Sequence, residues 1–332
     1  MLKGPRVTDN TTPPDRSKFL GGSDVAAVMG LSPWTTPLEL WEYKTHRVIK
    51  EETPEKLRIF RRGHKLEPFI REMTVEKLAD MGLAVEVQAI NARYTDPDFD
   101  FLACEIDFEL KLTGTVEIGE REVVFNGTHV NADAKSVTGF ARKKWGEVGT
   151  DEVPIEYAAQ FMHGMGINGS GWCLVAALRS FDDVDLFWVE RDEETITAMQ
   201  AKCVEFWNEH VLTDIPPDPV NFSDVKHLYA KASDLAEMAV TEDTELVQRV
   251  HDLKKIKGAI KELEEQADVL TFEITKAIGE APGLVYAGKP LCTWNNEKFS
   301  RFKQKEFAEA HPELIEQFTN RGTQRVLRLK IK

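Results

Sequence analysis

Glu67, Asp107 and the triplet Asp133-Ala134-Lys135 are the residues of this 332-residue chain whose types and order can do chemistry. Asp133 and Lys135 stand two apart in a segment, residues 128–135, that reads as a β-strand, so both side chains leave the same face. An acid and an amine are thereby aimed into one cleft. Phosphodiester hydrolysis needs carboxylates to hold a divalent cation and a positive group to orient the attacking water or offset charge on phosphorus; this pair with two further acids supplies those parts. Alone, an acid-x-lysine triplet equally fits alternating charges on the wet face of a sheet. Context separates the two readings. Residues 101–108, Phe-Leu-Ala-Cys-Glu-Ile-Asp-Phe, form an apolar strand carrying Glu105 and Asp107 two apart, where burying carboxylates without compensation is costly. A shared metal would remove that cost.

These residues need elements to position them. Upstream of Glu67, Ile70, Met73 and Leu78 recur with a helical period, and Leu66–Asp80 reads as a helix. Pro68 suits a first turn better than a helix interior, which places Glu67 at the helix start, where a carboxylate is favourable with or without a catalytic role. Leu38–Lys44, Glu156–Ile167 and Glu193–Val211 also read as helices; in the last, Ile196, Met199, Cys203, Phe206 and Trp207 form one packing stripe. Strands are expected at Val85–Ala92, Phe101–Leu112, Glu122–Val137, Gly171–Arg179 and Val184–Val189, with a hairpin turning at Gly119. The fold class is therefore α/β, a central mixed β-sheet flanked by helices.

At this point the chain resembles a known family. The run from Leu20-Gly21-Gly22-Ser23-Asp24 to Ser32-Pro33-Trp34, continuing to Pro37-Leu38-Glu39-Leu40-Trp41, is similar to the opening motif of YqaJ-like viral recombinases, which group with lambda-type exonucleases in the PD-(D/E)XK nuclease superfamily. Gly63-x-x-x-Glu67-Pro68, Ile106-Asp107, Asp133-x-Lys135 and Tyr157-x-x-Gln160 follow in that family's order. The resemblance implies a PD-(D/E)XK core in which Asp107, Asp133 and the backbone carbonyl of Ala134 bind Mg²⁺, with Mn²⁺ a substitute. It further implies that Lys135 orients the nucleophilic water, Glu67 completes the acidic cluster and Gln160 packs beside the metal. Arg16 and Ser23 would hold a 5′-terminal phosphate. One departure is Asp133, where Glu is commoner; the charge is kept on a shorter side chain. The implied activity is a 5′–3′ exonuclease that degrades one strand of linear double-stranded DNA and leaves 3′ single-stranded ends for a single-strand annealing protein. The implied assembly is a ring-like homo-oligomer, often a trimer. An endonuclease of the same superfamily and a non-catalytic DNA-binding scaffold remain open.

Composition bounds these expectations. No apolar run approaches the roughly 20 residues that span a bilayer, and residues 1–5 lack the apolar core of a signal peptide, so no membrane association and a cytoplasmic location are expected. Cys104, Cys173, Cys203 and Cys292 are scattered singly, as suits reduced core thiols rather than a metal cluster. The net charge of −14 is unusual for a DNA-binding protein, because phosphate neutralisation favours a basic surface. Positive charge is nonetheless concentrated beside the candidate site: Arg58, Arg61, Arg62 and Lys65 lead into Glu67, and Arg142, Lys143 and Lys144 follow the Lys135 strand as candidate DNA contacts.

The expected organisation is a polar, partly disordered leader at residues 1–18, a nuclease domain at 19–213, a Pro-rich linker at 214–223, and a C-terminal extension at 224–332. In the extension, Leu246, Leu253, Ile260, Ala267 and Ile274 recur every seventh residue, and Ile256, Leu263, Leu270 and Ala277 do so three positions on, an a/d seam interrupted by Arg249. It fits either a coiled-coil partner or packing within the chain. Residues 325–332 read as a basic terminal strand, and Trp294, Phe299 and Phe302 interleave with cations as single-strand stacking surfaces do.

Overall fold

Apolar and polar residues alternate along residues 84–136, and this period-two pattern builds the centre of the sheet. In the computed structural model, which describes residues 6–7, 15–48, 53–137, 139–180, 183–232, 238–241 and 244–330, β1 (Arg6–Val7), β2 (Ala84–Thr95), β3 (Ala103–Ile118), β4 (Arg121–Ser136), β5 (Trp172–Leu178) and β6 (Asp185–Glu190) pair in sequence order. All neighbours are antiparallel except β4 and β5. The β3–β4 hairpin turns at Gly119, whose φ of 58° is a left-handed conformation that costs glycine nothing. The parallel pair requires a crossover, and helix α4 (Ile155–Asn168) provides it.

Helices cover both faces of the sheet. Ile70 and Leu78 of α3 (Pro54–Asp80) pack with Phe108, Leu110, Val130 and Leu174. On the other face, Phe161 and Met165 of α4 pack with Cys173, Val175 and Ala177. A third cluster joins α1 (Gly22–Val28), α2 (Pro37–Lys44) and α5 (Glu193–Phe206) through Val25, Leu38, Trp41, Met199 and Cys203. The expected stripe from Ile196 to Trp207 is buried throughout. Glycine lets α4 sit close to its neighbours: a Cβ on Gly164 would lie 3.0 Å from Ile106, and one on Gly166 only 2.8 Å from Ile196.

Two expectations are corrected. Pro68 lies inside α3, which begins at Pro54 with Thr53 as its N-cap, so Glu67 is a mid-helix residue rather than a helix-start acid. The helix tolerates the missing Pro68 N–H because Ile70, Thr74 and Leu78 anchor it to the sheet. Within the leader, Arg6 and Val7 add the β1 edge strand and Arg16–Lys18 form a 3₁₀ turn capped by Asp15; residues 1–5 and 8–14 lie outside the described residues. Residues 325–330 form no strand, having no paired neighbour among the described residues to satisfy a ladder.

The chain divides into two compact units, Met1–Leu228 and Tyr229–Lys332. The first therefore runs past the Pro-rich 214–223 segment. Its last element, α6 (Phe222–Leu228), is tied in by buried Asp224, which accepts hydrogen bonds from Thr36 Oγ1 and Val220 N, each at 3.1 Å. In the second unit, α7 (Glu245–Ile278) carries the heptad seam with Ile256, Leu263 and Leu270 exposed and ends where Gly279 adopts positive φ. A hairpin of β7 (Gly283–Tyr286) and β8 (Lys289–Thr293) follows, then α8 (Gln304–Ala310) and α9 (Pro312–Phe318). Trp294, Phe299 and Phe302 are exposed. Among the described residues no helix is long and apolar enough to cross a membrane.

Pro68→Ala restores the hydrogen bond that the proline denies the His64 carbonyl, so it is expected to stabilise the first unit by about 1–3 kcal/mol. Urea unfolding followed by tryptophan fluorescence, which the seven Trp residues make sensitive, measures this.

Candidate active site

The β3–β4 register ends at the pair Phe108↔Ala132, so the next residues along, Asp107 and Asp133, stand opposite each other across the two strands. Like charges directly opposite on a sheet repel. Burial, then the Asp133 charge, raise the Asp107 carboxyl to a pKa of about 7; Lys135 and the Ala134 amide work against that rise, and Glu67 adds to it. Ala134 N donates to Asp107 Oδ2 at 2.9 Å. Asp107 is thus held in place without being fully paid for in electrostatic terms.

A second acid of β3 shows the contrast. Burial alone would raise Glu109 too, but hydrogen bonds from His129, Tyr94 and Asn168 hold it below the usual carboxylate range. Tyr94 Oη lies 2.8 Å and Asn168 Nδ2 3.2 Å from Glu109 Oε1. Two residues separate a satisfied carboxylate from a frustrated one, and frustrated carboxylates in a cleft mark functional positions.

Asp133 is buried and has two different oxygen environments. Oδ2 accepts from Gln160 Nε2 at 3.2 Å. Oδ1 lies 2.5 Å from Lys135 Nζ as an ion pair, yet makes no hydrogen bond of acceptable geometry. The Lys135 ammonium in turn sits over the rings of Tyr157 and Phe161, 5.1 and 5.6 Å from their centroids. Burial would lower its pKa, but Asp133 and Asp107 more than offset that and hold it above the ordinary lysine range, so it remains a cation. An alternating strand put Asp133 and Lys135 on one face; α4 supplies Tyr157, Gln160 and Phe161 one helical turn apart to receive them.

Gln160 is fixed from behind. A Cβ on Gly22 would fall 2.7 Å from Gln160 Cγ, so only glycine lets the first turn of α1 approach α4 this closely. At the neighbouring Gly21, the guanidinium of Arg16 occupies the space beside the backbone, Nη2 being 3.4 Å from the site of a Cβ. Arg16 Nη2 donates to Ser23 Oγ at 2.9 Å. Arg16, Ser23, Asp107, Asp133 and Gln160 all line one cavity of about 740 Å³.

Other expected residues stand apart. Glu67 is near enough to repel Asp107, but its carboxylate faces His64 Nδ1 at 3.1 Å, and among the described residues no three His, Cys, Asp or Glu side chains gather as one metal-holding group. Mid-helix placement turns Glu67 toward its own i−3 neighbour. Arg142, Lys143 and Lys144 occupy an exposed 3₁₀ turn (Gly139–Lys144) and are not among the cavity residues; Lys144 Nζ donates to buried Glu156 at 3.1 Å. The sequence reading passed over Arg93, which lines the same cavity and pairs with Glu105 at 2.6 Å. Cross-strand pairing of Arg93 with Glu105 was the available signal, and it needs the β2–β3 register, which a bulge between Val87 and Ala89 shifts.

The mixed sheet with facing acids on adjacent strands, one of them in an acid-x-lysine triplet, has the layout that the sequence resemblance implies. Residues 14–171, a little under half of the chain, match the model of the YqaJ-like viral recombinase domain. The chain is 25% identical over 311 residues to the uncharacterized protein YqaJ of Bacillus subtilis (strain 168), covering 91% of this chain and 88% of that protein. Among solved structures it is similar to an alkaline exonuclease, LHK-Exo, from Laribacter hongkongensis, with a TM-score of 0.41 and 16% identity over 60% of this chain and 91% of the exonuclease. The complex of LHK-Exo with dAMP is similar at a TM-score of 0.40 and 16% identity, covering 64% and 94% of the two chains.

A folded-state pKa raised above the unfolded value gives stability that is full below the unfolded pKa and is lost as pH rises through the folded one. For Asp107 that loss runs from about pH 4 to about pH 7. Asp107→Asn is therefore expected to melt several degrees higher than the parent at pH 8.5 in the presence of EDTA, with the gain vanishing near pH 4. Thermal unfolding across that pH range checks this.

Proposed function

We propose that the chain is a Mg²⁺-dependent 5′–3′ exonuclease acting on ends of linear double-stranded DNA, leaving 3′ single strands for a single-strand annealing partner. The observation that carries the reading is the meeting of Asp107, Asp133 and Gln160 at one cavity, with Lys135 ion-paired to Asp133 behind it. Two acids facing each other, Asp133 buried with an oxygen lacking a hydrogen bond and Asp107 half-buried, fit the oxygen donor set of a hard divalent cation. Asp107, Asp133 and the Ala134 carbonyl would hold it. Bound there, the ion would supply Lewis acidity to the scissile phosphate and the leaving oxygen.

The remaining work falls to protein side chains. Gln160 keeps Asp133 oriented. The Lys135 ammonium, held charged between Asp133 and two rings, orients the attacking water and offsets charge developing on the phosphate. Glu67, one turn from the cavity mouth at His64, adds negative charge that favours cation uptake. Arg16 and Ser23 receive the 5′-terminal phosphate, where the guanidinium makes charge-assisted bonds to phosphate oxygens. The family of residues 14–171 and the name of the Laribacter enzyme support nuclease action in recombination. A ring-like homo-oligomer, a trimer in this reading, would thread the duplex, and Arg142, Lys143 and Lys144 would contact its backbone.

Lys135→Ala is expected to lower cleavage by at least about a hundredfold while DNA affinity changes little. The check is digestion of linear duplex labelled separately at each 5′ and 3′ end, with Mg²⁺ and with EDTA, alongside a covalently closed circle. Loss of 5′ label first, an intact circle and no cleavage in EDTA are the expected results. Cutting of the circle would make the protein an endonuclease, and DNA binding without metal-dependent cleavage would make it a scaffold.

A further inference from the structure

Arg16 and Ser23, the two groups assigned above to the terminal phosphate, belong to separate elements, the 3₁₀ turn Arg16–Lys18 and helix α1. What fixes one against the other is a side chain from a third element. Lys44, the last residue of α2, has a fully buried side chain. Its Nζ donates to the Arg16 carbonyl at 2.6 Å, to the Phe19 carbonyl, and to Asp24 Oδ2 at 2.8 Å. Asp24 Oδ2 also accepts from Gly21 N at 3.0 Å, closing the first turn of the helix that carries Ser23.

An ammonium has three protons to give, and three acceptors from three points of the chain surround this one. A charge in this position is costly to bury, and packing alone would be served as well by an apolar side chain. The arrangement does something packing cannot. It ties the backbone of Arg16 to the first turn of α1, so that the guanidinium reaches Ser23 Oγ across the space that Gly21 leaves open.

We infer that Lys44 is a positioning residue for end recognition: through Arg16 O, Phe19 O and Asp24 it holds the Arg16–Ser23 pair as a preformed clamp for a terminal phosphate. The inference rests on the phosphate assignment of Arg16 and Ser23. Its prediction is selective. Without Lys44 the clamp loosens, and the enzyme loses its advantage on phosphorylated ends more than its ability to cleave.

The experiment compares full-length wild type, Arg16→Ala, Lys44→Met, Lys44→Arg and Asp24→Asn, measuring KM and kcat on one linear duplex bearing either 5′-phosphate or 5′-hydroxyl ends. Wild type should favour phosphorylated ends by about tenfold or more in kcat/KM, as expected for charge-assisted phosphate contacts. Lys44→Met should reduce that ratio several-fold, chiefly through KM on phosphorylated ends, and combining it with Arg16→Ala should reduce it no further. Lys44→Arg should recover part of it. Asp24→Asn removes the same tie from the other side and should show the same loss, which keeps the test decisive if Lys44→Met fails to fold. A wild-type ratio retained in Lys44→Met, or in Asp24→Asn should that be the variant that folds, overturns the inference, as does an equal loss on both ends. No end-phosphate preference in wild type overturns the phosphate assignment and the inference together.

Discussion

The site depends on one electrostatic conflict, two carboxylates set opposite each other on neighbouring strands with too few hydrogen bonds between them. Asp107 and Asp133 cannot separate, because β3 and β4 are paired over most of their length and their flanking residues are core: Phe108, Val130 and Ala132 are all nearly inaccessible. Solvent relieves them only in part, since α4 packs over the face they share and Asp133 is buried there. The conflict appears as a proton held by Asp107 to near-neutral pH. Glu109, two residues along the same strand, meets three donors and shows no such strain. The fold is able to satisfy a buried acid in this sheet, and at Asp107 it does not.

Everything near that pair acts to keep it in register rather than to relax it. Gln160 takes one oxygen of Asp133 and is wedged by Gly22; Lys135 takes the other as an ion pair and is itself boxed by two aromatic rings. The crossover from β4 through α4 to β5 makes this possible, placing helix residues 157, 160 and 161 over strand residues 133 and 135. Removing Asp107's charge should therefore stabilise the protein, and in the proposed function it would also end the chemistry, the usual relation between strain and function at a built site.

Much of this was legible in the chain. Period-two alternation located β3 and β4, an acid inside an apolar strand flagged Asp107, and the i, i+2 spacing placed Asp133 and Lys135 on one face. What escaped were contacts between residues far apart in sequence or interrupted local rules. Pro68 ordinarily ends a helix, and only tertiary anchoring through Ile70, Thr74 and Leu78 carries α3 through it. Lys44 resembles any lysine near a helix end, and its three acceptors lie 20 to 28 residues away. Arg142, Lys143 and Lys144 are close to Lys135 in sequence, but a 3₁₀ turn carries them outside the residues lining the cavity. The alternation in residues 325–330 suggested a strand, but alternation without a paired neighbour does not make one.

The most direct measurement is calorimetric titration of Mg²⁺ or Mn²⁺ into the protein near pH 6.5, repeated in buffers of different ionisation enthalpy. If the facing acids form the cation site, binding must release most of one proton from Asp107, because a ligand carboxylate has to be ionised. Both the binding and the proton release should be lost in Asp133→Asn. Absence of divalent binding, or binding that releases no proton and survives both Asp107→Asn and Asp133→Asn, would contradict it.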